Sequence, residues 1–144
     1  MSTTQVVNPR LSSIVVGKFG ENQMVKGWHE REVDGRSGIP YRASGGESVF
    51  YLKHPPLATK LYLLLSAPVG LRSTPLDGRI VIDKLKYQLP LAVDGWVLRT
   101  FPIECAKQAI RIKLMISDPV VPDTVLHNGD ARALGWFLSA AWQE

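Results

Sequence analysis

The sequence predicts an all-β protein, a single antiparallel β-sandwich of about eight or nine strands. Three observations point there. Apolar residues recur mainly at every second position, the period of a half-buried strand, and few windows sustain a helical period. Turn-forming residues interrupt the chain at short intervals: the 12 Gly and 10 Pro follow no repeat and exceed the usual share of about 12% for the pair, which suits many turns between short strands. The chain has 144 residues, 45% of them hydrophobic and 21% charged, an ordinary composition for one globular domain with one core. Residues 1–10 are polar and are expected to form a flexible N-terminal segment, leaving 11–144 as the sandwich.

The strands are expected in the following order. Residues 11–16, 25–33 and 48–53 are the first three candidates. The run KLYLLLS from Lys60 places Leu61, Leu63 and Leu65 on one face and Tyr62 and Leu64 on the other, the pattern of a strand covered on both sides or nearly so. It stops at Ala67-Pro68-Val69-Gly70. Asp77-Gly78 is a turn dipeptide, after which Ile80 and Ile82 face one way and Arg79, Val81 and Asp83 the other. Residues 96–103 form a further candidate. The cleanest alternation is AIRIKLMIS from Ala109, with Ile110, Ile112, Leu114 and Ile116 on one face. Asp118-Pro119 and Val121-Pro122 end it, because proline cannot donate to a ladder. After Asn128-Gly129-Asp130, residues 134–142 alternate Leu134, Trp136, Leu138, Ala140 and Trp142 as a closing strand. A C-terminal helix is the alternative there, given its alanines and leucines.

Several function classes lack support. A single cysteine, Cys105, forms no intramolecular disulfide and reads as a small buried hydrophobe. The polar N-terminus shows no secretory signal, so a cytoplasmic location is expected. The longest apolar runs fall far short of the roughly 18–20 residues of a membrane span. The net charge of +4 is modest and its lysines are dispersed, which argues against nucleic-acid binding. No nucleotide, hydrolase or zinc motif occurs, and His29, His54 and His127 have no ligand spacing, so neither metal nor cofactor is expected.

Two polar segments break the apolar pattern. The first, GWHEREVDGRSGIPYRASGGE from Gly27 to Glu47, gathers Trp28, His29, Glu30, Tyr41 and Arg42. Strand alternation puts Trp28, Glu30 and Glu32 on one side and His29 and Arg31 on the other. In a structural role Trp28 is a core aromatic, Glu30 and Arg42 pair, and the other charges guard a sheet edge. In a binding role this strand and the YRASGGE turn form a rim where aromatic faces meet directed hydrogen-bond donors, a surface suited to sugars. The second segment, HNGDAR from His127, supplies Asp130 and Arg132, or else a turn closed by a salt bridge.

At these places the chain resembles the β-sandwich modules associated with bacterial glycosyltransferases and surface-polysaccharide biosynthesis proteins. The resemblance rests on Gly27, Trp28 and Glu30; on Tyr41, Arg42, Ala43, Ser44, Gly45, Gly46 and Glu47; and on Pro75, Leu76, Asp77 and Gly78. It continues with Ser117, Asp118 and Pro119, the proline loop at Val121-Pro122, and Gly129 through Gly135. It departs at His29, where an aromatic residue often follows the Trp, and at Tyr41, which stands at a usual Trp position. It implies a jelly-roll-like, non-catalytic carbohydrate-binding or accessory module. Trp28 and Tyr41 would then stack on an oligosaccharide or glycan, with His29, Glu30, Arg42, Asp130 and Arg132 as polar contacts. A glycosyltransferase or a second copy of the chain is the further expected partner. Two alternatives stand beside this. One is a homodimeric interaction subunit using Trp96, Trp136, Phe137 and Trp142. The other is a small hydrolase or isomerase using Glu30, Glu32 and Asp34, with His29 as base.

Overall fold

Alternating apolar positions become strands whose inward residues meet across a two-layer core. The computed structural model describes residues 8–67, 77–90, 95–104, 107–117 and 119–144. Among these are nine strands: β1 (Ile14–Val15), β2 (Met24–Val33), β3 (Pro40–Lys53), β4 (Lys60–Ser66), β5 (Gly78–Ile82), β6 (Leu85–Gln88), β7 (Val97–Pro102), β8 (Ala109–Ile116) and β9 (Phe137–Gln143). A 3₁₀ turn at Glu21–Gln23 and a short helix α1 (Pro122–Leu126) complete the set.

All strand pairings are antiparallel, in the order β6-β5-β8-β3-β9-β4-β7, with β2 beside β3 and β1 beside β9. This continuous sheet curls into two layers because β3 belongs to both. Its second half, Glu47 to Lys53, pairs with β8, while Arg42 and Ala43 pair with β9. The passage from one layer to the other lies at Gly45 and Gly46. There Ser48 Oγ donates to the Gly27 carbonyl (2.6 Å) and accepts from Gly45 N–H (3.0 Å). Gly27 has φ 82°, and a Cβ there would overlap the Glu47 carbonyl, so the close crossing of the two strands requires glycine.

Between the layers sit Phe50, Leu52, Ile80, Ile82, Ile110, Ile112, Leu114 and Ile116 from one side, and Ile14, Leu61, Leu63, Leu65, Phe101, Leu138 and Ala141 from the other. The inward faces expected for the strands at Lys60, Gly78 and Ala109 are those observed. Trp136 is 0% exposed, its backbone held by Ser44, whose N–H donates to the Trp136 carbonyl (2.7 Å) while Ser44 Oγ accepts from Trp136 N–H (2.9 Å).

The structure differs from expectation in several places. The segment YRASGGE, expected as a turn, is mostly strand, because β3 starts at Pro40 and the glycines form the corner inside it. β6 was not expected. Its residues LKYQ are largely exposed, so the apolar signal is weak, and the hairpin turns at Asp83, which adopts φ 52°. Pro122 opens helix α1, whose first turn tolerates a residue without an N–H. The first candidate shrinks to Ile14–Val15. The closing segment is a strand, not a helix, but it starts at Phe137. Leu134 instead bridges Val120. Its alternation also slips: a bulge between the partners of Leu64 and Leu65 turns Leu138 and Ala141 to the core and leaves Ala140 and Trp142 on the outer face. Cys105, Asp118, Pro75, Leu76 and Pro68 to Gly70 lie outside the described residues.

Candidate functional site

The site begins with a hairpin tip. Asp34 N–H donates to the Ile39 carbonyl (2.9 Å) and Gly38 N–H to the Asp34 carbonyl (2.8 Å), closing the β2–β3 connection, with Gly38 at φ 73°. The Asp34 carboxylate then gathers donors: Arg36 N–H at Oδ1 (3.1 Å), and Ser37 Oγ (2.7 Å) and Trp96 Nε1 (2.9 Å) at Oδ2. These hydrogen bonds, Ser37's first, hold its pKa below the usual carboxylate value. A short polar loop thereby pins the indole that precedes β7.

Trp96 closes an aromatic wall. Tyr41 of β3 stacks on Phe137 of β9, centroids 4.3 Å apart at 21°, and meets Trp96 at 6.0 Å and 53°. Asp34, Arg36, Ser37, Tyr41, Trp96 and Phe137 line a cleft of about 530 Å³ whose surface is mainly apolar. An apolar wall with a few fixed polar groups is the usual make-up of a ligand site. Two carboxylate oxygens offer about four lone-pair positions. Three are filled here, so Asp34 Oδ1 can accept one further hydrogen bond from a ligand hydroxyl. Burial, with the nearby Glu32 carboxylate adding to it, raises the Tyr41 phenol above its ordinary pKa, so the ring carries a neutral hydroxyl over the whole physiological range.

Beside this wall Arg132 forks between two acids. Its guanidinium reaches Glu32 at 3.0 and 3.4 Å and Asp130 at 2.8 and 2.7 Å. The hydrogen bonds from Arg132 hold the Asp130 pKa down at about 2, and the two acids raise that of Arg132. Glu32 arrives there through a bulge. Register moves from Trp28 opposite Ser44 to Arg31 opposite Arg42, three residues against two, so Glu32 lies opposite Tyr41. This corrects the expectation that Glu32 shares a face with Trp28 and Glu30.

The seven residues singled out in the sequence therefore separate. Tyr41 lies in the cleft, and Asp130 and Arg132 form the fork on Glu32 beside it. Trp28 packs on Phe50 (6.1 Å) and donates to the Val49 carbonyl (3.0 Å), at the margin of the core. His29 Nε2 lies 2.8 Å from the Ala133 carbonyl and so carries its proton there. Arg42 donates to the His29 carbonyl (2.7 Å), and its charge faces Glu21 at 3.9 Å, so the expected pairing of Arg42 with Glu30 gives way to one with Glu21. Glu30 is exposed on β2. Of the aromatic residues assigned to a dimer patch, Trp136 is in the core, Phe137 and Trp96 line the cleft, and Trp142 stacks on Tyr62 at 5.4 Å and 7°. Asp34, Ser37 and Trp96 were not expected in a binding role. The sequence signal for them is the turn DGRS flanked by strand residues, together with one tryptophan after Asp94-Gly95. Among the described residues no three His, Cys, Asp or Glu side chains gather as a metal site requires. No helix among them is long and apolar enough to cross a membrane.

No protein-family model matches the chain, and none of the curated proteins does. Solved structures do match in shape. One is a family 35 carbohydrate-binding module from an environmental isolate, with TM-score 0.52 and 9% identity over 82% of this chain and 86% of that one. Another is the family 35 carbohydrate-binding module of Cellvibrio japonicus Abf62, with TM-score 0.52 and 13% identity over 85% and 90% of the two chains. At these identities the likeness is one of fold, that of a β-sandwich.

Proposed function

We propose that this chain is a non-catalytic module that binds an oligosaccharide in the cleft walled by Tyr41, Trp96 and Phe137. The observation that carries the reading is the fixed pairing of an aromatic wall with a carboxylate. A pyranose ring presents a face of C–H bonds to an indole or phenol ring and hydroxyls at its edge, and Asp34 Oδ1 stands ready to accept from one of them. Trp96 is held by its hydrogen bond to Asp34 before any ligand arrives, so little side-chain entropy is lost on binding. Arg36 and Ser37 add polar atoms at the rim. The fold shared with carbohydrate-binding modules supports the same reading, and the sequence resemblance favours a glycan of surface-polysaccharide assembly as its natural setting. With few desolvated contacts, Kd is expected to be on the order of micromolar to millimolar.

The test is a glycan-array screen of the purified protein, repeated with Trp96→Ala and Asp34→Ala, with Trp28→Phe as a control outside the cleft. Selective binding lost in the first two proteins and kept in the third is expected. Binding that survives Trp96→Ala in a folded protein overturns the assignment of the cleft.

A further inference from the structure

We infer that the ligand is a linear glycan chain lying along the strands, held by a second aromatic station formed by Tyr62 and Trp142 on the same sheet face as the cleft. The inference rests on the proposed carbohydrate role and extends it from a terminal sugar to an extended polymer.

Register puts the two stations on one face. Ser66, which lines the cleft, lies opposite Phe137. Two and four residues back along β4, Leu64 lies opposite Ala140 and Tyr62 opposite Trp142. Side chains two apart on a strand share a face, so Ser66, Leu64 and Tyr62 all point away from the core that holds Leu61, Leu63 and Leu65. The slip in β9 matters here: without the extra residue before Ala140, Trp142 would follow Leu138 into the interior. At about 3.3 Å per residue, the four residues from Ser66 to Tyr62 span about 13 Å, room for further sugars beyond one seated in the cleft.

The surface between the stations is low and apolar. Ala140 is buried and Leu64 is half-buried, with a stacked ring pair at either end. Tyr62 and Trp142 are nearly parallel. Continuity with the cleft selects the occupant. A chain seated against Trp96 and running parallel to β4 meets Tyr62 and Trp142 without leaving the face, and alternate aromatic and small residues suit a ribbon of sugar rings. A second copy of the protein is the competing occupant.

The experiment is isothermal titration with size ladders of cello-, xylo- and manno-oligosaccharides, from disaccharide to hexasaccharide, with sedimentation velocity on the same proteins. Affinity is expected to rise with chain length, and Trp142→Ala to cost roughly three- to tenfold on the longest chains while leaving the disaccharide unaffected. Trp96→Ala weakens every length. Tyr62→Ala repeats the test by an independent change. Affinity independent of length, or hexasaccharide binding unaltered by Trp142→Ala and Tyr62→Ala, overturns the second station while the cleft stands. Absence of binding to every ladder by a protein that binds on the glycan array overturns this inference while the cleft stands, and absence of binding on the array as well removes the carbohydrate reading. A dimer that Trp142→Ala dissociates in the absence of sugar assigns the face to a second copy instead.

Discussion

Gly78→Ala is expected to destabilise the sandwich severely, although alanine is among the mildest of substitutions. A Cβ on Gly78 would overlap Cη2 and Cζ2 of the Trp136 indole and approach the Met115 carbonyl oxygen at 2.9 Å. Neither neighbour can yield. Met115 lies opposite Arg79 in the β5–β8 ladder, and Trp136 is fully buried with its backbone tied to Ser44. Overpacking a closed core costs about 1–3 kcal/mol, and the upper end applies because both obstacles are fixed. Of a total stability of about 5–15 kcal/mol that is a large share. In urea, with a slope of about 1–3 kcal/mol/M, a loss of 3 kcal/mol lowers the midpoint by about 1–3 M at unchanged slope. Trp136→Phe in the same chain makes room for the new methyl, so the double variant loses less than the sum of the two single changes, with a coupling of about 1–2 kcal/mol. A Gly78→Ala protein that unfolds at the wild-type midpoint, or strictly additive losses, would refute the packing account.

Two further predictions concern the supports of the cleft. Ser44→Ala leaves the buried Trp136 N–H without its acceptor, costing about 1–3 kcal/mol; at about 2–4 °C per kcal/mol for a domain of this size, thermal unfolding reads it as a Tm lowered by several degrees. Asp130 has its pKa depressed from 3.8 to about 2 by Arg132, so its contribution to stability is fully present above about pH 4 and is lost as pH falls towards 2. Urea midpoints measured across that window should fall less steeply for Asp130→Asn than for the unaltered protein, and an identical acid limb in both would contradict the assigned fork.

The layers of the fold were readable because burial on one side of a strand leaves a period of two. Ile110 to Ile116 and Leu61 to Leu65 carry that period and occupy the core as expected. The corner in β3 was not readable. Two glycines inside a strand look the same in sequence as a turn, and only the pairing of Glu47 with Met115 and of Ala43 with Phe137 distinguishes a passage between layers. Bulges hid the site for the same reason. One extra residue in β2 moves Glu32 beside Tyr41, and one in β9 moves Trp142 outward, and a strict alternation misplaces both. Trp28 and Arg42 drew notice as an aromatic and a cation in a polar run, yet their partners are backbone carbonyls more than ten residues away. The sequence offers Trp96 only as part of a dimer patch, because the acid that fixes it, Asp34, is 62 residues earlier in the chain.

The most direct test of the binding account uses the indole N–H resonances of the 4 tryptophans in a proton–nitrogen NMR spectrum recorded during oligosaccharide titration. The Trp96 resonance is predicted to shift with every ligand that binds and the Trp142 resonance only with the longer chains, while Trp28 and Trp136, bonded to Val49 or sealed in the core, stay in place. Shifts confined to Trp28, or none at Trp96 under a ligand shown to bind, would contradict the account.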